Sequence, residues 1–430
     1  MPASHDFPSL GLNAELLRAA AQLALDRPTP VQAASIPVIL RGSDLISTAQ
    51  TGSGKTAAYA LPLMQRLLEE RPPLSTIPRT RRDTRALVLV PTRELAAQVG
   101  ELLHGIAQHL PARLRCEVVF GGVSINPQMM SLRGGADVVV ATPGRLLDLV
   151  DHNALQLGDV RQLVLDEADR LLDLGFADEL ARVLALLPAR RQNLFFSATF
   201  PAAVEALATR LLVSPVRVEV PDTPDTTPGI VQRALVVDEG RRTELLRHLV
   251  LEHGWKQSLV FVASQHAAEH VAWKLYNRGV HAAPFHGGLS QGARRDRLAE
   301  FRNGQWDMLV TTDLAARGID IAGLPVVVNY DLPRSTVDYT HRIGRTGRAG
   351  ESGLAVSLVT PATEAHFRLI EKRQGRPVAR ETVAGFEPDA QAVATAAAAQ
   401  AAAGTGGIKG KRPSRKDKAR AEAARQANKP

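Results

Sequence analysis

Residues 44–56 read DLISTAQTGSGKT, a short apolar run, a glycine-spaced loop and the opening of a helical pattern. A β-branched run of this length, bounded by turn residues, predicts a buried strand. Gly52 and Gly54 on either side of Ser53 let backbone N–H groups close around phosphate oxygens at a helix N-terminus, where the dipole favours negative charge. Lys55 is placed to reach β- and γ-phosphates and the Thr56 hydroxyl to ligate Mg²⁺. Ala49 stands where the usual pattern has its first glycine, yet strand before and helix after argue against a chance glycine loop.

Working outward, the same rhythm continues. ALVLV (86–90), CEVVF (116–120), DVVVA (137–141), QLVLD (162–166) and NLFFS (193–197) read as strands, with helical patterns over 94–108 and 177–187. SLVFVA (258–263), DMLVTT (307–312), PVVVNY (325–330) and LAVSLV (354–359) repeat it. Near-continuous apolar strands separated by helices predict parallel sheets covered on both faces. VPDTPDTTPG (220–229) suits neither helix nor central strand and reads as a linker. The domains expected are therefore 1–219 and 230–385, followed by an Ala-rich, then basic, disordered tail over 386–430. ERPPLSTIPRTRRDTR (70–85) reads as a long basic surface loop.

Composition narrows the class. Of 430 residues, 45% are apolar and 22% charged, as in globular proteins, and no apolar run suggests a membrane span or secretory leader. The single cysteine, Cys116, excludes an internal disulfide or a cysteine-built zinc site and is expected to be buried. A cytoplasmic protein is expected. The net charge of +8 is uneven: residues 404–430 hold nine Lys/Arg against two acids, so any nucleic-acid groove in the body is a local patch.

Two further constellations carry chemistry. In VLDEADRLLD (164–173), a strand delivers Asp166 and Glu167 at its C-terminal end, where open parallel sheets bind ligands. One carboxylate can hold Mg²⁺ while its neighbour orients or deprotonates the attacking water. The plainer reading, helix capping, suits Asp169 better. Phosphate loop and acid pair together mark a nucleoside triphosphatase. In HRIGRTGR (341–348), four cations within eight residues call for an anion among them. Arg345 and Arg348 fit arginine fingers for a γ-phosphate, against the plainer reading of a solvated basic turn.

With these residues in view, the chain resembles the DEAD-box RNA helicases of superfamily 2 over about residues 7–375. The ordered matches are PTPVQ (28–32), AQTGSGKT (49–56), PTRELAAQ (91–98), GG (121–122), TPGRLLD (142–148), DEAD (166–169), SAT (197–199), LVFVAS (259–264), QGAR (291–294), TTDLAARGID (311–320) and HRIGRTGR (341–348). The resemblance implies two tandem RecA-like α/β domains and RNA-stimulated ATP hydrolysis, with ATP and Mg²⁺ as cofactors and RNA as partner. It implies that Gln32 reads the adenine edge, Phe7 stacks on the ring and Asp320 binds the ribose. Ser197, Thr199 and His341 would couple hydrolysis to unwinding. Thr92, Arg93, Gly122, Thr142 and Arg145, with Arg294 and Thr311, would hold the RNA sugar–phosphate backbone, and the helix from about Gly144 would act as a wedge.

The residue types agree with this. Positions 91–93, 122, 142–145 and 311 follow expected strands, so they should line the same rim of each sheet as the ATP site. Hydroxyls, glycines and arginines suit phosphate and 2′-OH contacts without an aromatic platform for bases. Thr142 with Pro143 behind it also reads as an ordinary helix N-cap. Within the family, FGGVSINPQM (120–129), QGAR and GFEPD (385–389) are similar to the bacterial RhlE-type branch. Leu25 stands where the family usually has an aromatic residue, and Gly288 and Leu289 stand where the branch has Asn and Lys. Two other readings stay open: a DNA-translocating motor of the same superfamily, and an ATP-gated RNA clamp. The core is expected to be monomeric, acting on ribosomal precursors or with RNA-decay machinery.

Overall fold

A computed structural model describes residues 6–49, 52–70, 82–111, 113–220, 230–316, 323–347 and 352–389. Asp320, Arg348, loop residues 71–81, nearly all of the expected linker and the sequence from 390 onwards lie outside the described residues. The chain divides into two compact units.

The first unit is built on strands β1 (Leu45–Thr48), β2 (Ala86–Leu89), β3 (Cys116–Val119), β4 (Val138–Ala141), β5 (Gln162–Asp166), β6 (Gln192–Ser197) and β7 (Val216–Glu219). They form one sheet in the order β3-β4-β2-β5-β6-β1-β7, and every pairing is parallel. Side chains alternate across a strand, so Val88, Val138, Val140, Val164 and Phe196 enter one apolar cluster. Their neighbours Leu87, Val139, Leu163, Leu165 and Phe195 enter the cluster on the opposite face. Each fully buried side chain of this kind contributes about 1.5–3 kcal/mol. That double burial explains the unbroken apolar strands.

The second unit has β8 (Ile230–Val236), β9 (Ser258–Phe261), β10 (Ala282–Phe285), β11 (Met308–Thr311), β12 (Val326–Asn329), β13 (Gly353–Val359) and β14 (Arg380–Glu381). Their order is β10-β11-β9-β12-β13-β8-β14, again with every pairing parallel. Strand for strand, this repeats the order of the first sheet.

Every expected strand is present, and β7, β8, β10 and β14 come in addition. β7 and β10 are sheet edges, one mostly exposed and the other carrying Pro284, which an edge strand tolerates. Two other expectations change. Thr84 and Arg85, placed by sequence in a surface loop, are buried. Arg85 donates to the Leu67 carbonyl at 2.8 Å and pairs with Asp137 at 2.9 Å, so its charge is neutralised beside the start of β4. At the other end, packing continues past Gly385. Phe386 lies against the second unit's core, with the Arg241 guanidinium 4.8 Å from its ring centre, so it belongs with the unit rather than with a tail starting at 386.

Candidate active site

The phosphate loop joins β1 to the helix Lys55–Glu69. Gly52 and Gly54 have φ of 79° and 92°, left-handed backbone that glycine adopts without penalty. At Gly54 a Cβ would lie 2.4 Å from the Gln32 amide, so a side chain there would both strain the left-handed backbone and displace that amide. Lys55 opens the helix with its ammonium buried, donating to the Ala49 carbonyl at 2.7 Å. The residue replacing the motif's first glycine thus supplies a backbone acceptor to its lysine. Gln32 accepts from Thr29 N–H at 3.0 Å and donates to the Gly54 carbonyl at 3.1 Å. It closes the start of the helix Pro30–Leu40 and ties that segment to the phosphate loop. Phe7 packs inside the apolar cluster under one face of the sheet.

Asp166 ends β5, at the carboxyl edge where the phosphate loop also lies. One of its oxygens accepts the Glu167 N–H at 2.9 Å and the other accepts the Tyr59 hydroxyl at 2.9 Å. Burial pushes the Asp166 carboxyl up, while the Lys55 charge and the two hydrogen bonds pull it back. Burial first, then the negative Asp166, holds the Tyr59 phenol well above its ordinary range, so it remains a donor. Glu167 sits at φ 51°, ψ 52°, a left-handed backbone that costs a side-chain-bearing residue about 1–3 kcal/mol. The turn bends the chain sharply between the strand and the helix Ala168–Asp173.

Asp169 is not the helix cap expected of it: Glu167 holds the N-cap position and Asp169 is the second residue of the helix Ala168–Asp173. Its Oδ2 accepts from the Thr199 hydroxyl at 2.6 Å and the Thr199 N–H at 3.2 Å. The Asp169 N–H donates to Ser197 Oγ at 3.3 Å, and Ser197 donates to the Thr199 carbonyl at 2.7 Å. The acid segment and residues 197–199 form one hydrogen-bonded unit, so movement of either must move the other.

The five first-unit residues assigned to RNA gather around the carboxyl ends of β2, β3 and β4. Thr92 caps the helix Arg93–Gln108 through Leu95 N–H at 3.2 Å, and Arg93 reaches the Gly122 carbonyl at 3.4 Å. Gly122 has φ 76°, and a Cβ there would lie 2.4 Å from the Arg93 guanidinium. Thr142 precedes the helix Pro143–Asp151, but its hydroxyl accepts from Gly121 N–H at 3.3 Å instead of capping that helix. Arg145 donates to the Val123 carbonyl at 2.7 Å and lies 3.5 Å from Asp148, while its buried Nη1 has no hydrogen-bond partner among the described residues.

In the second unit, Thr311 ends β11 with its hydroxyl on the Thr312 carbonyl at 3.2 Å. Arg294, buried on the helix Gln291–Arg302, lies with its guanidinium 5.1 Å from the Phe285 ring centre. His341 is in the last turn of the helix Thr336–Ile343, and Arg345 follows its cap Gly344. Of these cations Arg342 is paired within the unit, with Asp313 at 2.6 and 2.8 Å. Asn329 and the Asp331 carbonyl complete the Arg342 guanidinium.

Comparison with known proteins agrees with this geometry. Residues 29–207 match the DEAD/DEAH box helicase family and 241–350 match the helicase conserved C-terminal domain. The ATP-dependent rRNA helicase RRP3 of Gibberella zeae is 40% identical over 388 residues, covering 89% of this chain and 77% of the relative. The DEAD-box ATP-dependent RNA helicase CshA of Bacillus subtilis is 37% identical over 374 residues, covering 87% of this chain and 73% of the relative. This chain belongs to the DEAD-box RNA helicases. Among solved structures, S. cerevisiae Dbp5 bound to RNA and ADP BeF3 is similar, with a TM-score of 0.74 and 29% identity over 92% of this chain and 99% of that one.

As a DEAD-box protein the chain is an ATP-hydrolysing RNA helicase with two RecA-like domains. No helix among the described residues is long and apolar enough to cross a membrane. Sequence reading of this helicase missed Tyr59, the Asp169–Thr199 link and Asp313 as partner of Arg342. The last two had a signal, since a carboxylate inside a matched motif implies a partner. Tyr59 had none, because a tyrosine in an apolar helix reads as core.

Proposed function

We propose that this helicase separates short RNA duplexes by bending one strand, gripping only its sugar–phosphate backbone. The observation that carries this is the shared carboxyl edge of the first sheet. Lys55 and Asp166 stand there beside a set of hydroxyl, glycine and arginine groups that holds no aromatic residue. Such groups bind phosphate and 2′-OH and ignore base identity.

In this reading Gly52, Ser53, Gly54 and Lys55 cradle the phosphates, with Gln32 and Phe7 toward the adenine and Asp320 toward the ribose. The left-handed glycines and the buried Asp166 beside Lys55 suit a nucleotide–Mg²⁺ pair, with Thr56 and Asp166 as its protein ligands, partly through water. Mg²⁺ bound there neutralises charge on the β- and γ-phosphate oxygens. Glu167 orients and deprotonates the attacking water. Arg345 and Arg348 supply cations toward the γ-phosphate. The Asp169–Thr199 and Asp169–Ser197 hydrogen bonds, with His341, relay loss of that phosphate to the RNA groups Thr92, Arg93, Gly122, Thr142, Arg145, Arg294 and Thr311. The helix Pro143–Asp151 is the wedge. The protein works in the cytoplasm as a monomer of the RhlE-type branch, on ribosomal or decaying RNA.

ATP turnover with RNA and with DNA of the same sequence tests this, in the parent and in Glu167→Gln. RNA should stimulate and DNA should not. Glu167→Gln should lower turnover about 10²–10⁴-fold while ATP and RNA stay bound. Equal stimulation by DNA would point to a DNA motor, and parent-like turnover in Glu167→Gln would remove the acid-pair assignment.

A further inference from the structure

The helix that opens with Lys55 brings a second group to the acid pair, one that no motif marks. Tyr59 lies one turn after Lys55, on the same helix face. Its side chain is fully buried, with the ring packed on Phe196 at a centroid distance of 5.2 Å and 56° between planes. Its hydroxyl donates to one oxygen of Asp166 at 2.9 Å, and the Glu167 N–H holds the other at the same distance. A carboxylate bound at both oxygens by rigid donors cannot rotate about its terminal bond. Phe196 neighbours Ser197 on β6, so the tyrosine ring also rests on the strand that leads into residues 197–199. A phenylalanine would fill the same space, so packing does not account for the hydroxyl.

We propose that Tyr59 is a positioning residue for Asp166, holding the carboxylate in the orientation that takes the divalent cation of ATP. The proposal rests on Asp166 being a cation ligand. Donors behind a metal ligand fix its direction, and losing one typically weakens metal binding about 10–100-fold. The cost to nucleotide binding without metal should be small, because the side chains that the Tyr59 hydroxyl meets, Asp166 and Thr56, are the two assigned to the cation.

The test uses the full chain with a fluorescent ADP, with Mn²⁺ affinity read by electron paramagnetic resonance. Tyr59→Phe should weaken Mn²⁺ binding to the ADP complex about tenfold or more. It should leave metal-free ADP affinity within about twofold, and high Mg²⁺ should restore its ATP turnover. Phe196→Leu loosens the ring but keeps the hydroxyl, and should lower the melting temperature with near-parent Mn²⁺ affinity. Parent-like Mn²⁺ affinity in Tyr59→Phe, with affinity lost in Asp166→Asn, overturns the role of Tyr59 alone. An equal loss in Phe196→Leu also overturns it, since packing would then set the affinity. Parent-like Mn²⁺ affinity in Asp166→Asn overturns both Tyr59 and the ligand role beneath it.

Discussion

The two sheets share a strand order, yet the same place in each carries opposite chemistry. β1 in the first sheet and β8 in the second occupy equivalent positions, and each is followed by a helix whose first residue is a cation. After β1, two left-handed glycines clear the space in front of Lys55. After β8, the chain runs Val237, Asp238, Glu239, Gly240 and Arg241 before the helix Arg242–His253. Two carboxylates there repel a phosphate. Arg242 is already engaged, 2.6 Å from Asp331, donating to the Tyr330 carbonyl at 2.9 Å and lying 4.4 Å from that residue's ring centre. The last residues of β5 and β12 diverge in the same way. Asp166 takes a tyrosine hydroxyl, whereas Asn329 donates to Ser357 at 3.2 Å and accepts from Arg342. A phosphate site therefore needs more than the strand–helix junction. It needs glycines that clear the approach and a cation not yet spent on a protein carboxylate.

The largest effect expected from this division concerns Arg345, the cation by which the second unit would serve hydrolysis without a phosphate loop. Arg345→Ala should lower RNA-stimulated turnover on the order of 10³-fold or more, the usual cost of a lost arginine finger, while ATP still binds. Unchanged turnover at saturating RNA would break the comparison outright. Next come the paired glycines. Gly54→Ala forces a left-handed alanine against Gln32, at about 1–3 kcal/mol, so ATP affinity should fall about tenfold or more. Gly240→Ala, with nothing within 4 Å of the new Cβ, should leave ATP affinity alone and stability within about 0.5 kcal/mol. Equal effects at the two glycines, by nucleotide titration and melting, would mean the junctions are not distinct.

Arg242→Ala sharpens the point from the stability side. The pair with Asp331 is partly exposed, so unfolding of the full chain in denaturant should shift by about 1–2 kcal/mol without change in ATP affinity. A loss of ATP affinity instead would make Arg242 a phosphate group after all. The smallest effect expected is at the C-terminus, where residues 404–430 carry nine basic residues, two acids and no aromatic residue. Removing residues 390–430 should raise the RNA concentration for half-maximal turnover several-fold and flatten its salt dependence, with the maximal rate unchanged. Identical salt slopes in the two proteins would assign that basic charge no part in binding.

Sequence carried much of this, and where it stopped is physically intelligible. Strands buried on both faces, such as Val138–Ala141, announce themselves as unbroken apolar runs. β10 does not, because Pro284 interrupts its four-residue run Ala282–Phe285. The acid pair and phosphate loop were legible because their chemistry requires those residue types at those spacings. That Asp169 and Asp313 each need a partner was legible from their motifs, but which residue it is was not, since Thr199 and Arg342 lie 30 and 29 residues away along the chain. Arg85 was misread because a run of arginines looks solvated until a buried carboxylate such as Asp137 is brought beside one of them.

Cys116 on β3 gives the molecule a practical property. Burial pushes its thiol up to about 12, so the sulfur of the folded protein is almost wholly protonated at neutral pH and shielded from maleimide reagents. Single cysteines introduced at exposed positions of either unit can then carry fluorophores while the native one stays in place. The same atom becomes reactive as soon as the first sheet opens, so thiol labelling under denaturant times the unfolding of that sheet against the loss of ATP turnover.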